Sequence, residues 1–352
     1  MHVRSMALDA LRGLAVLFML EVHLGYWWSR ELPAGDTLVG LGTAMGGMAA
    51  PLFFTIAGAG LAIWRAARPE GFEGSNIRRG AALLGAGLAF TLVERAVYGP
   101  WGWGVLQSLG VSIIICALAM RAGAFHRGAA GLLLMVIAYP LRHAAGIPDV
   151  LYTESLVSVS SPGDYLSSSL LSGFFPLIPW TGFMLLGTVA GEACFADSLG
   201  IPTLSGRPGR ESWPMAVLAA SMVVLGGLGA AAGMPLEFFP PSICFCLMAS
   251  GICIAAIAFI GALPARSPSP SWAAPLAMTG RLSLTLFVVH HFIGYEAISA
   301  AGLLHSLDTS QALAMVLLSW ALAIAAAAAW SRKGYAYSLE WLLGRLSPRA
   351  SK

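Results

Sequence analysis

Ionisable side chains lie inside two stretches of sequence that are otherwise apolar enough to cross a membrane. Residues 7–28 carry Asp9, Arg12, Glu21 and His23, and residues 280–296 carry Arg281, His290 and His291. Each ionisable group placed in hydrocarbon costs roughly 2.5–3.5 kcal/mol on insertion scales, so such groups need partners, water or a function. Histidine titrates near ambient pH, which suits proton transfer, and the guanidinium of arginine matches phosphate geometry. Proton transfer beside a bound phosphate is therefore the chemistry that these residue types suit.

The spacing of these residues arranges them on helix faces. Arg12 and His23 are eleven positions apart. At about 100° per residue this is three turns plus roughly 20°, so the two share a face and lie about 16 Å apart along the axis. Ser283 and His290 are seven positions apart and nearly eclipsed, which gives a second polar stripe. His290 and His291 point about 100° apart, so we expect one of them, and not both, to face a shared cavity.

The same groups also have structural interpretations. Arg12 can reach the lipid headgroups and pair with Asp9, while His23 hydrogen-bonds to a neighbouring helix. Glu94 and Arg95, at the outer end of the third expected span, can form an ion pair that fixes the order of the helices. Under these interpretations the intramembrane charges stabilise the fold and do no chemistry.

The composition of the chain is that of an integral membrane protein. Of its 352 residues 57% are hydrophobic and 11% are charged, whereas soluble domains have roughly 25% charged residues. Mean hydropathy is +0.76. Each long apolar stretch can cross a hydrocarbon core of roughly 30 Å as a helix. We expect an all-α, polytopic fold of about ten transmembrane helices, over residues 7–28, 45–64, 80–98, 103–120, 128–141, 173–192, 214–233, 240–262, 279–299 and 311–330.

The distribution of basic residues predicts the orientation of these spans. With a cytoplasmic N-terminus, 15 of the 20 Lys and Arg residues fall in cytoplasmic segments. Arg12 and Arg281 then lie just inside the cytoplasmic ends of their spans, and only Arg30, Arg95 and Arg142 fall outside. Because basic residues concentrate on the cytoplasmic side, the asymmetry predicts that both termini are cytoplasmic.

We expect one transmembrane domain over residues 1–335 and a cytoplasmic tail over residues 336–352. No internal repeat or compositional break divides the first of these segments. In the tail, Leu339, Leu342, Leu343 and Leu346 recur at helical spacing, which is typical of a short interfacial helix. The longest extracytoplasmic segment, residues 142–171, is a candidate lid over a pocket.

Several familiar site motifs are missing. There is no G-x-S-x-G elbow, no H-E-x-x-H pair and no C-x-x-C pair, so soluble hydrolase and zinc chemistries lack their simplest support. The five cysteines lie in or near expected spans without paired spacing, which disfavours a disulfide framework. Glycine-rich runs inside apolar spans indicate close helix packing and not nucleotide binding. We expect no metal and no nucleic-acid partner.

Five stretches of the sequence carry a resemblance to a known family. The opening "LDALRGLAVLFMLEVH" (residues 8–23) resembles the first helix of the membrane acyltransferase-3 superfamily, whose pattern is an Arg, ten residues and a His. The stretches "APLFFTIAGAGLAIWRAAR" (50–68), "GVLQSLGVSIII" (104–115), "FPLIPWTGFMLLGTVAGE" (175–192) and "GRLSLTLFVVHH" (280–291) are similar to the bacterial relatives of heparan-α-glucosaminide N-acetyltransferase. They occur in the expected order and are distributed along the chain from residue 8 to residue 291.

The resemblance implies a function and roles for particular residues. It implies transfer of an acetyl or similar acyl group from cytoplasmic acetyl-CoA or another acyl-CoA to a hydroxyl or amine of a glycan, lipid-linked sugar or secreted small molecule. His23 would be the catalytic histidine, His290 would line the active site, and Arg12 would bind the donor or act as a structural partner. Phe287 stands where the family often has a Tyr, which removes one hydroxyl from the site.

Further expectations concern the binding of the donor and the location of the protein. Arginines at the cytoplasmic mouth are candidates for binding the phosphates of CoA: Arg12, Arg281, Arg78 and Arg79. For Arg78 and Arg79 a purely topological role is also sufficient. The expected location is the bacterial cytoplasmic membrane, with the lipid bilayer as partner, and a homo-oligomer is compatible with the sequence.

Two other classes of function are open. In a transporter the same polar stripes would form a permeation path, although transporters usually show repeats and broken helices at matching places in two halves, and neither is visible in the sequence. In a structural or assembly protein the polar groups would matter only for stability. Hydrolysis of acyl-CoA by the purified protein separates the acyltransferase from both.

Overall fold

The structure is a computed structural model that describes residues 5–30, 37–93, 102–147, 159, 161–195, 212–262 and 273–346. Within these ranges the chain is helical, with no strand beyond a single bridge between Ser29 and Leu307. The helices are α1 (Met6–Trp28), α2 (Thr37–Gly47), α3 (Ala49–Ala67), α4 (Phe72–Val93), α5 (Val105–Ala119), α6 (Ala124–Ala144), α7 (Pro162–Ser167), α8 (Leu177–Phe195), α9 (Ser212–Ala231), α10 (Ile243–Ala262), α11 (Ala273–Gly280), α12 (Ser283–His291), α13 (Ile298–Ala300), α14 (Thr309–Ser331) and α15 (Leu339–Leu346). Two π-helical segments, Ser168–Ser172 and Phe292–Ala297, follow α7 and α12.

Among the described residues, six helical segments are long and apolar enough to cross a membrane, which makes the chain a multi-pass membrane protein. They are Val39–Ala67, Ala124–Ala144, Leu177–Phe195, Trp213–Ala231, Ile243–Ala262 and Thr309–Ser331. A seventh is formed if the bent pair Ala273–Gly280 and Ser283–Ala300 is counted as one span. The expected spans 7–28 and 103–120 correspond to α1 and α5, and the described part of 80–98 lies in α4, but α1 and α4 carry charged side chains and α5 has only 15 residues. The count of ten spans and the orientation therefore stay predictions.

The expected continuous span 279–299 is wrong in one respect, because it is broken near its start. α11 ends at Gly280 and α12 begins at Ser283, and the two helices are bent by 70°. The break leaves backbone N–H groups at the start of α12 without helical partners. A carboxylate from α15, that of Glu340, accepts the N–H groups of Leu284 and Thr285 at 2.6 and 3.1 Å, which satisfies those donors.

The chain divides into two compact units, which are described separately. The terminal unit comprises residues 2–53 and 268–345, and the central unit comprises residues 54–267 with the chain ends 1 and 346–352.

In the terminal unit, α1 and α11 pack backbone against backbone. A Cβ at Gly13 would lie 2.0 Å from the carbonyl oxygen of Leu276, and one at Gly280 would lie 2.0 Å from that of Asp9. Small side chains line the same contact: Ala10, Ala273 and Ala277. Small residues allow such close approach of helices in a membrane, and here they place the first turns of α1 beside the break between α11 and α12.

The middle and the far end of α1 are also fixed within the terminal unit. The indole of Trp320 on α14 donates to the carbonyl of Leu17 at 2.8 Å, and the indole of Trp28 donates to the carbonyl of Gly294 at 2.8 Å. Glu21 faces α2, where a Cβ at Gly42 would lie 2.3 Å from a carboxylate oxygen of Glu21. Among the described residues Glu21 makes no ion pair.

In the central unit, α3 and α8 also pack closely at glycines, as α1 and α11 do in the terminal unit. A Cβ at Gly58 would lie 2.0 Å from the carbonyl oxygen of Met184, and one at Gly187 would lie 2.1 Å from that of Thr55. The buried ring of Trp180 anchors an aromatic cluster with Phe54, Phe175, Phe183 and Phe238. Arg127 on α6, which is buried, forms an ion pair with Glu192 on α8. These contacts make α8 the centre of the unit.

Some predicted features lie outside the described residues. Glu94 and Arg95 are among them, as is most of the acidic part of the expected lid. The described end of that segment forms α7, whose first turn is closed by reciprocal hydrogen bonds between Ser161 and Asp164 at 3.1 and 2.8 Å. No disulfide joins any of the cysteines, all of which lie in described ranges.

Candidate active site

Three histidines from two helices meet inside the terminal unit. The Nδ1 of His23 on α1 lies 2.8 Å from the Nε2 of His290 on α12, and the two rings stack with centroids 5.1 Å apart. The ring of His291 lies 4.5 Å from that of His290 and 5.7 Å from that of His23. The expectation that only one of the adjacent histidines would join the site is therefore wrong, because the His23 ring lies close to both.

Hydrogen bonding assigns the proton positions of the first two rings. The Nδ1 of His290 lies 3.1 Å from the carbonyl oxygen of Leu286, which can only accept, so His290 carries its proton on Nδ1. Its Nε2 is then an acceptor, and the Nδ1 of His23 must be the donor in the 2.8 Å contact. In the neutral tautomer this leaves the lone pair of His23 on Nε2. The backbone of α12 thus selects, through His290, which nitrogen of His23 can act as a base.

The exposure of the three rings differs in a way that matters for chemistry. His290 and His291 are buried, whereas His23 is partly exposed. Trp27 stacks on His23 with ring centroids 5.3 Å apart. The ring centroid of Phe287 lies 5.6 Å from that of His290 and 5.2 Å from that of His291. Apolar walls around hydrogen-bonded groups lower the local dielectric and strengthen their interactions. His23 is therefore the least buried member of the cluster.

The helix that carries His290 and His291 changes form immediately after them. Residues Phe292–Ala297 form a π-helical segment, which widens the turn and frees backbone groups from regular α-helical bonding. The indole of Trp28 donates to the carbonyl of Gly294 in this segment, and a Cβ on Gly294 would lie 2.3 Å from Leu24. Such segments occur frequently at functional sites, and this one fixes α12 against the end of α1 that bears His23.

A charged cluster lies nearer the start of α1. The buried carboxylate of Asp9 accepts from Arg12 Nη1 at 2.6 Å and from Arg281 Nε at 3.2 Å, so one carboxylate holds two guanidinium groups. The side chains of Arg12 and Arg281 remain 27% and 34% exposed. Arg281 also stacks on the ring of Tyr335, 5.8 Å from its centroid. One negative and two positive charges leave a net positive cluster, and most of the five N–H donors of each guanidinium stay available for an anion.

Glu340 connects the tail to this region. Besides the two backbone N–H groups of α12, it accepts the hydroxyl of Thr285 at 2.6 Å. The Thr285 hydroxyl oxygen in turn accepts the N–H of Leu339 at 3.0 Å. A carboxylate at a helix N-terminus is favoured by the helix dipole. α15 is thereby attached to the start of the helix that carries His290 and His291.

The predicted site residues fall into two groups. The structure brings His23 together with His290, and Arg12 together with Arg281. Arg78 and Arg79 lie on the exposed face of α4 in the central unit, where Arg78 donates to the hydroxyl of Ser75 at 3.4 Å. Their part in donor binding stays a prediction.

Reasoning from sequence missed three features of the site. It paired Asp9 with Arg12 alone, and so did not find that Arg281, 272 positions away, shares the same carboxylate. It set aside one of the two adjacent histidines, and it did not assign any role to Glu340. The signal for Glu340 was present as a lone carboxylate between the leucines of the tail helix.

Two family models match the chain. The family model described as "Heparan-alpha-glucosaminide N-acetyltransferase, catalytic" matches residues 4–224. A second model, described as "Protein of unknown function (DUF418)", matches residues 207–348 and so covers α12, with His290 and His291. No curated protein matches the chain. Because the first model covers more than half of the sequence and begins with the helix that carries Arg12 and His23, the chain belongs to the heparan-α-glucosaminide N-acetyltransferase catalytic family.

Proposed function

We propose that this protein is a membrane acyltransferase of the acyltransferase-3 type. It moves an acetyl or similar acyl group from cytoplasmic acyl-CoA to a hydroxyl or amine of a glycan, lipid-linked sugar or secreted small molecule. The observation that carries the proposal is the hydrogen-bonded series from the carbonyl of Leu286 through His290 to His23, which leaves Nε2 of a partly exposed histidine as a base. The family match supports acetyl transfer as the reaction.

The proposed chemistry uses His23 as general base and then as general acid. His23 Nε2 takes the proton of the acceptor O–H or N–H while the acceptor atom attacks the thioester carbonyl. The new C–O or C–N bond forms, the C–S bond breaks, and the imidazolium returns the proton to the departing sulfur. His290 touches no reacting atom in this scheme. It is a positioning residue that holds the His23 ring and its tautomer, as the third member of a catalytic triad does.

Donor binding is assigned to the charged cluster on the same helix. Arg12 and Arg281, held by Asp9, present guanidinium N–H groups that suit the phosphates of CoA. Arg12 and His23 lie on α1 about 16 Å apart along the axis, so the pantetheine arm would run along this helix toward the histidines. Arg78 and Arg79, in the central unit, stay separate candidates for binding a phosphate of CoA. With both termini cytoplasmic, the donor enters from the cytoplasm of a bacterial cell and the acceptor from the opposite side.

The test is acyl transfer by purified protein with a matched pair of variants. His23→Gln removes the proposed base, and His126→Gln removes an exposed histidine of the central unit. With acetyl-CoA and a panel of sugars, amino sugars and lipid-linked sugars, we expect release of CoA thiol and acetylated product from wild type and His126→Gln. In His23→Gln the rate of acyl transfer should fall by about 10²–10⁴-fold, which is the usual contribution of general acid–base catalysis. Full activity in a well-folded His23→Gln protein would refute the assignment.

One observation favours a second candidate function. The span formed by α11 and α12 is broken and bent by 70°, and broken helices line the substrate sites of many transporters. A transporter of a small polar or anionic solute would use the charged cluster as a binding site. Acyl-CoA hydrolysis by detergent-solubilised protein would exclude this reading as the whole function. Absence of hydrolysis together with solute uptake by proteoliposomes would favour it.

A further inference from the structure

We infer that the three-histidine cluster is also a binding site for a divalent first-row transition ion such as Zn²⁺. One nitrogen from each of His23, His290 and His291 can be chosen so that all three atoms lie within 4.8 Å of one another. Zinc binds histidine nitrogens at about 2.0–2.1 Å, so two ligand nitrogens of a tetrahedral ion lie roughly 3.4 Å apart. The closest observed pair, at 2.8 Å, and the upper limit of 4.8 Å bracket that value. Small ring movements would complete the site.

The surroundings of His290 match those of a metal-binding histidine. Such a ligand commonly donates its other ring N–H to a backbone carbonyl or a carboxylate, which fixes the orientation of the ring. His290 does this through Nδ1 and the carbonyl of Leu286 at 3.1 Å, with Nε2 directed at His23. His291 is fully buried beside it, against Phe287. Two ligands are thus oriented on one rigid helix, and the third comes from α1.

The chemistry of the donors limits which ion can bind. Three neutral imidazoles suit zinc, copper, nickel and cobalt, whereas magnesium and calcium require oxygen ligands. Three histidines also leave a fourth position of a tetrahedral ion open to water or another small ligand. The sequence predicts no metal because it holds no paired ligand motif, whereas this cluster joins residues 267 positions apart.

An ion at this site would occupy the place of the proton between His23 and His290. For Nδ1 of His23 to bind the ion, its hydrogen must move to Nε2, with no net loss of a proton. That shift removes the lone pair that the proposed acyl transfer uses. The ion is therefore an inhibitor of the proposed activity. This second half of the inference rests on the proposed function, whereas ion binding itself does not.

The experiment measures ion binding without any assay of activity. Untagged protein in detergent is titrated with Co²⁺, whose visible absorption distinguishes four-coordinate from six-coordinate ions, and Zn²⁺ is then used to displace it, with Mg²⁺ as the negative control. We expect one Co²⁺ per chain with a four-coordinate spectrum. His291→Gln and His290→Gln should weaken binding by more than the roughly 10–100-fold that loss of an outer-shell partner costs, while His126→Gln should bind as wild type does.

The outcomes separate the two halves of the inference. No bound Co²⁺, or a spectrum that His290→Gln and His291→Gln both leave unchanged, would overturn the ion site whatever the enzyme activity. If binding is confirmed and acyl transfer is observed, Zn²⁺ should abolish transfer over the concentrations that displace Co²⁺, and a chelator should restore it. Transfer that persists at saturating Zn²⁺ would overturn the inhibitory role while leaving the ion site intact. A protein that binds Co²⁺ but transfers no acyl group would refute the proposed function alone.

Discussion

The side chains of His23 and His290 are in hydrogen-bond contact at 2.8 Å, although 267 positions separate them in the sequence. Their contact depends on two close approaches in the terminal unit. At one, Gly13 and Gly280 allow α1 and α11 to touch, and at the other, Trp28 and Gly294 fix the end of α1 to the π-helical segment after α12. The site is therefore as sensitive to helix packing as to the histidines themselves.

Replacing His290 should affect turnover more than substrate binding. His290→Phe removes the acceptor that fixes the tautomer of His23, so we expect kcat to fall by about 10²-fold or more with little change in KM. His290→Gln can accept the same proton through its side-chain oxygen and should recover part of kcat. Steady-state kinetics of both variants test this. Equal losses in the two variants would contradict the positioning role.

Replacing the arginines of the charged cluster should weaken donor binding. Hydrogen bonds to charged groups are each worth about 1.5–3 kcal/mol. Arg12→Leu and Arg281→Leu should therefore each raise the Kd for acetyl-CoA by roughly 10-fold or more, as measured by calorimetry. Arg30→Leu, at the opposite end of α1, is the matched control and should bind normally. Unchanged affinity in both cluster variants would place the donor phosphates elsewhere.

Adding one methyl group at Gly13 should destabilise the protein. A Cβ there would lie 2.0 Å from the carbonyl of Leu276, and overpacking of this kind typically costs about 1–3 kcal/mol. Gly60→Ala, at a helical position with open space around the added methyl, should be neutral or stabilising by up to about 1 kcal/mol. Thermal unfolding in detergent compares them. A Gly13→Ala protein as stable as Gly60→Ala would show that α1 and α11 do not pack this closely.

Removing the carboxylate of Glu340 should loosen the start of α12. Glu340→Ala leaves the N–H groups of Leu284 and Thr285 without their present acceptor, so we expect faster hydrogen exchange at these two amides. Glu340→Gln keeps one acceptor oxygen and should show a smaller effect. Exchange measured by mass spectrometry on peptides covering α12 tests this, with peptides from α10 as the internal reference. Equal exchange in wild type and Glu340→Ala would contradict the contact.

Acid should remove the stabilising effect of the cap on α14. The carboxylate of Asp308 accepts the N–H of Gln311 at 2.9 Å and the hydroxyl of Ser310 at 2.7 Å, and these hydrogen bonds hold the pKa of Asp308 below its usual value. A carboxyl whose pKa is lower in the folded state stabilises the fold above its unfolded pKa of about 3.9, and the effect is lost as the pH falls through the folded pKa.

Asp308→Asn tests this because Asn caps helices about as well but does not titrate. The Tm of wild type relative to Asp308→Asn should be constant near neutral pH and should fall in acid. Asp308→Ala should have a lower Tm than both at neutral pH. A constant difference between wild type and Asp308→Asn across the acid range would show that the pKa of Asp308 does not change on folding.

The sequence was sufficient for the features that depend on local spacing. Apolar length predicted an all-helical membrane protein, and the eleven-residue spacing placed Arg12 and His23 along one helix. It could not supply contacts that depend on how helices cross. The break at Arg281 is not visible in hydropathy, because the apolar stretch continues through it. At the break, Asp9 on α1 binds Arg281, and Glu340 on α15 accepts the N–H groups that the break exposes, and both contacts come from residues distant in sequence.

Adjacent residues on one helix also limit prediction by angle alone. His290 and His291 differ by about 100° in direction, which suggested different roles. The ring of His23 is wide enough, and placed closely enough, to contact both.

The π-helical segment Phe292–Ala297 predicts where an alignment of related sequences should show a gap. A π turn holds one more residue than the α-helical turn it replaces, so it behaves as a one-residue insertion inside a helix. Relatives that have a regular helix here would align with a single gap after His291 and would keep both histidines in register while the faces beyond them rotate. The position of that gap would mark where the family changes the lining above the histidines without moving them.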